Sequence, residues 1–467
     1  MKKIYTLIIV LVLLSATVFC GVSATVNAER DQVNITEKVL YGDRTVAEGL
    51  EITTKNHLKY QLFWESDYTI GKTNSVKTKY SLHPTKHLEI SRDHVYEGIS
   101  INTGIDFGFN EERPLSEQKG IQKVYKLLFD STKKGEEKTK TVYLKDYYDY
   151  YPLGIGFDLP YTDWIGYEYT SEELKGEPYD SLYVTEKFRE YFKIPVGETD
   201  SIKISVTKDM DGDLFGTGTE DINTYNLYTI STVSRKRNRC FFTINNCISE
   251  NVYADTSLIP GGYGIYSFYY FGGDSVYNTG IMADKLETVI PLDTKTTVRH
   301  ISLNKNETKL LLFTVENGTS YLEAIDIETM KTVQKLPIGS NCIDFVYEYD
   351  DFIVIDMSST ISVVSVKGDS YNFEFNVQKA SFTNKKFQDI WNTDCMDFKN
   401  GKLAMVGNAF DEENGYELCD FFVSIYDKGG LIYYGVYDNA LDINRLDSQY
   451  EANCHPNDTK PNKIEWN

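Results

Sequence analysis

Ile301-Ser302-Leu303, Ile343-Asp344-Phe345 and Met396-Asp397-Phe398 repeat one apolar-polar-apolar pattern, placed directly after His300, Cys342 and Cys395. Three further β-rich runs trail each copy. Behind the first come the turn residues Asn304-Lys305-Asn306-Glu307, the run 310–315, the turn Glu316-Asn317-Gly318, and the runs 321–327 and 332–338. The second unit reads 343–347, 352–356, 361–366 and 371–377, broken by Asp350-Asp351, Ser358-Ser359 and Gly368-Asp369. The third reads 396–398, 403–408, 421–426 and 431–437, with Lys399-Asn400-Gly401 and Lys428-Gly429-Gly430 as hairpin turns. Turn chemistry stands where four antiparallel strands need it.

The first two cores lie 42 residues apart and the next two 53, close to the roughly 40–50 residues of a four-stranded propeller blade. Sheets stacked between neighbours are buried on both faces, so alternation gives way to continuous apolar runs. Leu310-Leu311-Leu312-Phe313 and Phe352-Ile353-Val354-Ile355 read that way. The fold expected is all-β, a β-propeller of about seven four-stranded blades; a pair of stacked sheets, a β-sandwich, is the alternative. The repeats resemble generic propeller blades over about a third of the chain. Neither Ile325-Asp326-Ile327 nor Ile425-Tyr426-Asp427 has the Trp-Asp ending of a WD40 blade, so that family's sites do not carry over. Resemblance of fold does not transfer function.

The expected organisation is a signal peptide over residues 1–28 and a single propeller domain over 29–467. Its N-terminal half is irregular. Runs 123–129 and 139–144 flank Lys133-Lys134-Gly135-Glu136 as a hairpin, 201–207 pairs with 226–234, and a short helix near 185–193 ends before Pro195. The insertion 409–418 in the third repeat falls where propeller loops often carry binding.

Lys2-Lys3, an apolar run from Ile4 to Val22, and Val26-Asn27-Ala28 before Glu29-Arg30-Asp31 form the pattern of an export signal, with cleavage after Ala28 or after Ala24. If uncleaved, the stretch is nearly long enough to anchor the chain in a bilayer. Phe19 stands where a lipobox would want a small residue, so Cys20 does not read as a lipidation site. Losing Lys2 and Lys3 takes the net charge from −21 to −23. So acidic a chain is repelled by nucleic acid and by anionic lipid. The basic stretch 235–239 reads as a solvated hairpin.

Asp209-Met210-Asp211-Gly212-Asp213 places alternate carboxylates as a calcium loop does, but it lacks the glycine after the third Asp and the bidentate glutamate, and reads as a turn. His83, His87 and His94 cluster without a helix or the glutamate of a zinc protease, and read as surface residues. Cys240 and Cys247 flank 241–246 and could close a hairpin by a disulfide in an oxidising compartment. Cys342 and Cys395, at equivalent repeat positions, read as buried thiols. Ser302, Asp344 and Asp397 recur mid-strand and are candidates to line a channel, or else to bond backbone. The tyrosines at 143, 147, 148, 150 and 151 and the rings at 266 and 268–271 suit either glycan stacking or packing between sheets. The chain has no nucleophile elbow and no phosphate-binding glycine loop with lysine. No catalytic residue, cofactor or metal is assigned, and the reading leans away from an enzyme.

The expectation is a secreted or extracytoplasmic binding protein of bacterial type that recognises a protein or glycan through its loops, with membrane contact only through an uncleaved N-terminal segment. A carbohydrate-active enzyme using a carboxylate pair and a membrane-anchored sensor or accessory subunit are the alternatives. N-terminal sequencing of the exported protein is expected to begin at Glu29; a start at Met1 would identify an anchor.

Overall fold

Central strands of the repeats are buried on both faces. In Lys309–Glu316 every residue from Leu310 to Thr314 is buried, and Phe352–Met357 is buried throughout. This computed structural model describes residues 2–29, 35–58, 62–81, 98–105, 109–159, 181–223, 227–246, 254–271, 280–340, 342–379, 393–411, 415–438 and 460–466. Antiparallel sheet dominates, and the sheets resemble propeller blades in their strand order. The chain divides into two compact units, residues 1–93 with 344–467, and residues 94–343.

In the unit formed by residues 94–343, two sheets are plain four-stranded meanders. One runs Leu227–Ser234, Arg239–Asn246, Gly264–Phe271, Gly280–Pro291; the other runs Thr297–Leu303, Lys309–Glu316, Thr319–Asp326, Lys331–Gly339. The first strands of the two meanders, Leu227–Ser234 and Thr297–Leu303, lie against each other. That is how successive blades stand.

Residues 98–223 depart from the blade rhythm. Gly98–Thr103 pairs with Leu153–Asp158, and Ser201–Lys208 lies between Glu137–Tyr143 and Leu214–Asn223. The expected pairing of 201–207 with 226–234 is therefore corrected: Leu227–Ser234 pairs with Arg239–Asn246 instead. The expected strand at 123–129 is also corrected, to the helix Gln122–Ser131. Val124, Tyr125 and Leu128 fall on one helical face and bury it, next to Ser201–Lys208. The helix Ser181–Tyr191 delivers Phe188 into an aromatic core with Phe157, Phe242 and Phe268 at ring separations of 5.3–6.4 Å. Phe192, Tyr266 and Phe268 are buried in this core, so the rings at 266 and 268 serve packing. Tyr143, Tyr147 and Tyr150 stay exposed.

In the unit formed by residues 1–93 and 344–467, Ile343–Glu348, Phe352–Met357, Thr360–Lys367 and Ser370–Gln378 form another meander, its first strand starting at the unit boundary. The other two sheets are completed by distant segments. Leu50–Leu58, Leu62–Thr69 and Ser75–Ser81 receive Lys460–Trp466 as their fourth strand, with Ile52 opposite Ile464 and Leu50 opposite Trp466. Thr393–Lys399, Lys402–Asp411, Gly415–Asp427 and Gly430–Asp438 receive Thr36–Gly42 as a fifth. Lys460–Trp466 also packs beside Thr393–Lys399. Trp466 N–H donates to Asp397 Oδ2 at 2.8 Å, and Lys399 Nζ donates to Trp466 O at 2.9 Å. Gly42 turns the chain at φ +78°, where a Cβ would collide with the Ile432 carbonyl. Ile52, Tyr68, Ala404, Val406, Phe421, Val423 and Ile464 share one core.

The N-terminal helix Lys2–Glu29 is exposed along its apolar stretch. Its Ile8–Thr25 stretch has mean hydropathy 2.4 and buries nothing, which fits a signal peptide or an anchor.

Replacing Asp397 by Ala leaves the Trp466 N–H without its acceptor and is expected to cost about 1–2 kcal/mol. A lowered urea midpoint at unchanged slope would record it. Deleting residues 460–467 strips this edge strand outright and is expected to make the 50–81 sheet protease-sensitive.

Candidate functional site

The three channel candidates have different surroundings. Ser302, on Thr297–Leu303, holds a buried hydroxyl with no partner among the described residues. Asp344, on Ile343–Glu348, is exposed. Asp397 is half-buried; burial pushes its carboxyl pKa up, against the opposing pull of the Trp466 N–H. Its carboxylate is occupied in holding a strand of the neighbouring sheet.

Cys240 lies on the continuous strand Arg239–Asn246, and Cys247, its expected disulfide partner, lies outside the described residues. Cys240 is a free, fully buried thiol whose pKa is pushed up by burial. Cys342 and Cys395 are half-buried, and Cys342 Sγ donates to Ile343 O at 3.7 Å. Cys247, Cys454, His83, His87 and His94 lie outside the described residues.

Asp209 behaves as a turn residue. Its Oδ1 accepts the N–H groups of Asp211, Gly212 and Asp213 at 2.7–2.9 Å, which hold its carboxyl below the usual range. Among the described residues no group of His, Cys, Asp and Glu is arranged to hold a metal.

The basic stretch at 235–239 is a stitch between two sheets. Arg237 donates Nε and Nη2 to Glu328 Oε1 at 3.0 and 2.6 Å, while Ser234 Oγ and the Lys236 N–H donate to Glu307. Arg239 is sandwiched between the Phe241 and Tyr269 rings at 5.0 and 4.9 Å, and donates to Ser267 Oγ and Glu287 Oε1. The insertion at 409–418 prolongs the hairpin of Lys402–Asp411 and Gly415–Asp427, with Phe410 opposite Tyr416.

A small pocket enclosing about 20 Å³ and partly open to solvent lies at the loop end of the 227–291 sheet. It is lined by Ile244, Asn245, Ala254, Thr256, Tyr263, Thr294, Thr296 and Thr297. Asn245 builds it. Its Nδ2 donates to Val298 O at 2.8 Å while its Oδ1 accepts from Val298 N at 3.3 Å and from Tyr263 OH at 3.2 Å. One side chain thus imitates a strand partner and ties Arg239–Asn246 to Thr297–Leu303. Tyr263 OH also donates to Thr296 O at 2.9 Å. The lining presents hydroxyl and amide dipoles and, among the described residues, carries no carboxylate, amine or imidazole. Such dipoles can orient a neutral polar group. Sequence reading missed it, although Thr294-Lys295-Thr296-Thr297 between two strands was a visible hydroxyl-rich signal.

A second polar cluster surrounds Glu37. Its Oε1 accepts from Tyr433 OH at 2.9 Å and its Oε2 from Arg44 Nε and Asn74 Nδ2, each at 3.0 Å. The Tyr433 and Tyr437 hydroxyls bond each other at 2.6 Å. Burial raises the Glu37 carboxyl, but the bonds from Asn74, Tyr433 and Arg44 outweigh it and leave the pKa below the ordinary value. The cluster latches Thr36–Gly42 onto Gly430–Asp438.

No protein-family model matches the chain, and no curated protein does. Solved structures that it matches include Kluyveromyces lactis Hsv2 with loop 6CD replaced by a Gly-Ser linker, at 7% identity and TM-score 0.23, over 45% of this chain and 65% of that one. The Cps50 (Swd1) β-propeller domain of Myceliophteria thermophila aligns at 12% identity and TM-score 0.22, over 53% and 82%. A putative 6-phosphogluconolactonase from Bacteroides uniformis aligns at 11% and 0.26, over 48% and 64%. The first of these matches thus spans under two thirds of the other chain's length, and at such scores none bears on activity or ligand.

Because the Glu37 pKa is lowered in the folded chain, its contribution is present above the unfolded carboxylate value and is lost as pH falls through the folded one. Glu37→Gln is expected to lower stability at pH 7 by about 2–4 kcal/mol and to flatten the loss of stability below pH ~4.5. Urea titrations of both proteins from pH 7 to pH 3 would measure the two effects.

Proposed function

We propose that the meander sheets are blades of a β-propeller, that residues 98–223 are inserted in its blade series, and that the protein works outside the cytoplasm as a binding protein. Its loops recognise a cell-surface glycan or protein. The observation that carries the reading is the pocket at Asn245, Tyr263 and the four threonines, whose neutral hydroxyls and amide suit a hydroxylated, uncharged group of a ligand. Proton transfer would need carboxylates or imidazoles there. Exposed Tyr143, Tyr147 and Tyr150 supply flat rings on the same unit, the kind of surface on which sugar CH faces stack. Export through the 1–28 segment is supported by the exposed apolar helix.

A glycan array probed with the purified mature chain, together with a pull-down from envelope extract, tests this. Binding to neutral glycans is expected, with Thr256→Val/Thr297→Val weakening it by about tenfold, or ~1.4 kcal/mol. Hydrolysis of the bound glycan would turn the reading toward an enzyme, and ligand capture unaffected by the double substitution would remove the pocket from it.

A further inference from the structure

Phe352, Val354 and Asp356 alternate along the Phe352–Met357 strand and so share a face. On that face Phe352 and Val354 join a core with Met396, Leu403 and Met405. Asp356 is fully buried at its end. Across the sheet Asp356 pairs with Ile361, and Ile361 with Val377. Lys379 lies two residues past Val377, with its N–H on Ser359 O at 2.9 Å, and therefore rises on the same side. Its Nζ comes to 2.5 Å from Asp356 Oδ1, and its own side chain is only 13% exposed. Tyr347 stands within the field of Asp356; burial and that charge push its phenol up to about 12.

One proton passed from Nζ to the carboxylate along this contact converts the ion pair to a neutral pair. An amine is then held against a carboxylic acid by strands that fix both, with the acid fully buried. Fixed proximity of this kind replaces the entropic cost of bringing two reactants together.

We propose that Lys379 and Asp356 condense in the folded chain to an intramolecular isopeptide bond. The Nζ lone pair attacks Cγ, the Nζ–Cγ bond forms, one Cγ–O bond breaks, and that oxygen leaves as water with two protons that began on the ammonium. No oxidant, reductant or co-reactant enters. The amide ties the second strand of the 343–378 sheet to the end of its fourth, across the strand between.

Intact mass of the folded mature chain is the test. The expected protein is lighter by one water, and its digest yields a branched peptide joining the Asp356 and Lys379 segments. Lys379→Arg, checked for folding by circular dichroism, keeps the cation and is expected to restore the full mass. Asp356→Asn is expected to condense with loss of ammonia. A succinimide at Asp356-Met357 also loses water, but it survives Lys379→Arg and gives no branched peptide. A folded wild-type chain of full mass, or one yielding linear peptides only, overturns the proposal and leaves an ion pair.

Discussion

Pairing of Lys460–Trp466 with Leu50–Leu58 is the constraint on which the unit formed by the two ends of the chain depends. Joining segments about 400 residues apart costs on the order of 5 kcal/mol in chain entropy beyond a constant term. Burial of Leu50, Ile52 and Ile464 offsets that cost, and the Asp397 and Lys399 bonds to Trp466 set the register. Once that pairing exists, Thr36–Gly42 is already near Gly430–Asp438, so the second long-range pairing adds little further entropy cost. The Glu37 latch then needs only local order around Arg44, Asn74 and Tyr433. Two weak edge strands become secure because each relieves the other of its closure cost.

Strands buried on both faces were legible in the sequence. Leu310-Leu311-Leu312-Phe313 and Phe352-Ile353-Val354-Ile355 are continuous because neither side meets water, and the turn glycines and asparagines between them punctuate the meanders. Gly318 and Gly401, for example, adopt positive φ at such turns. Lys460–Trp466 was not legible. It carries only Ile464 and Trp466 as large apolar residues and includes Pro461, and nothing local reveals that it completes a sheet begun four hundred residues earlier. Gln122–Ser131 misled for another reason: Val, Tyr, Leu and Phe favour strands, and the helical spacing of Val124, Tyr125 and Leu128 competes with that preference over just ten residues.

Polar positions divide along the same line. Asp209 was legible as a turn residue because the N–H groups on its side chain all lie within four positions. Asn245 and Glu37 were not, since Val298 is 53 residues from one and Tyr433 is 396 from the other. Asp397 stood out by its place in a repeat, yet its partner Trp466 lay in a strand that periodicity could not find.

Borrowing a strand from so far downstream also sets a timetable for biosynthesis. At the usual ~5–20 residues per second, the interval between making Leu50–Leu58 and making Lys460–Trp466 is about 20–80 s. Throughout it, one margin of that sheet offers bare amides and carbonyls to whatever β-prone chain is nearby. Nascent copies crowded on one message would therefore be exposed to mispairing with each other, and a holding chaperone would protect them until the missing strand arrives.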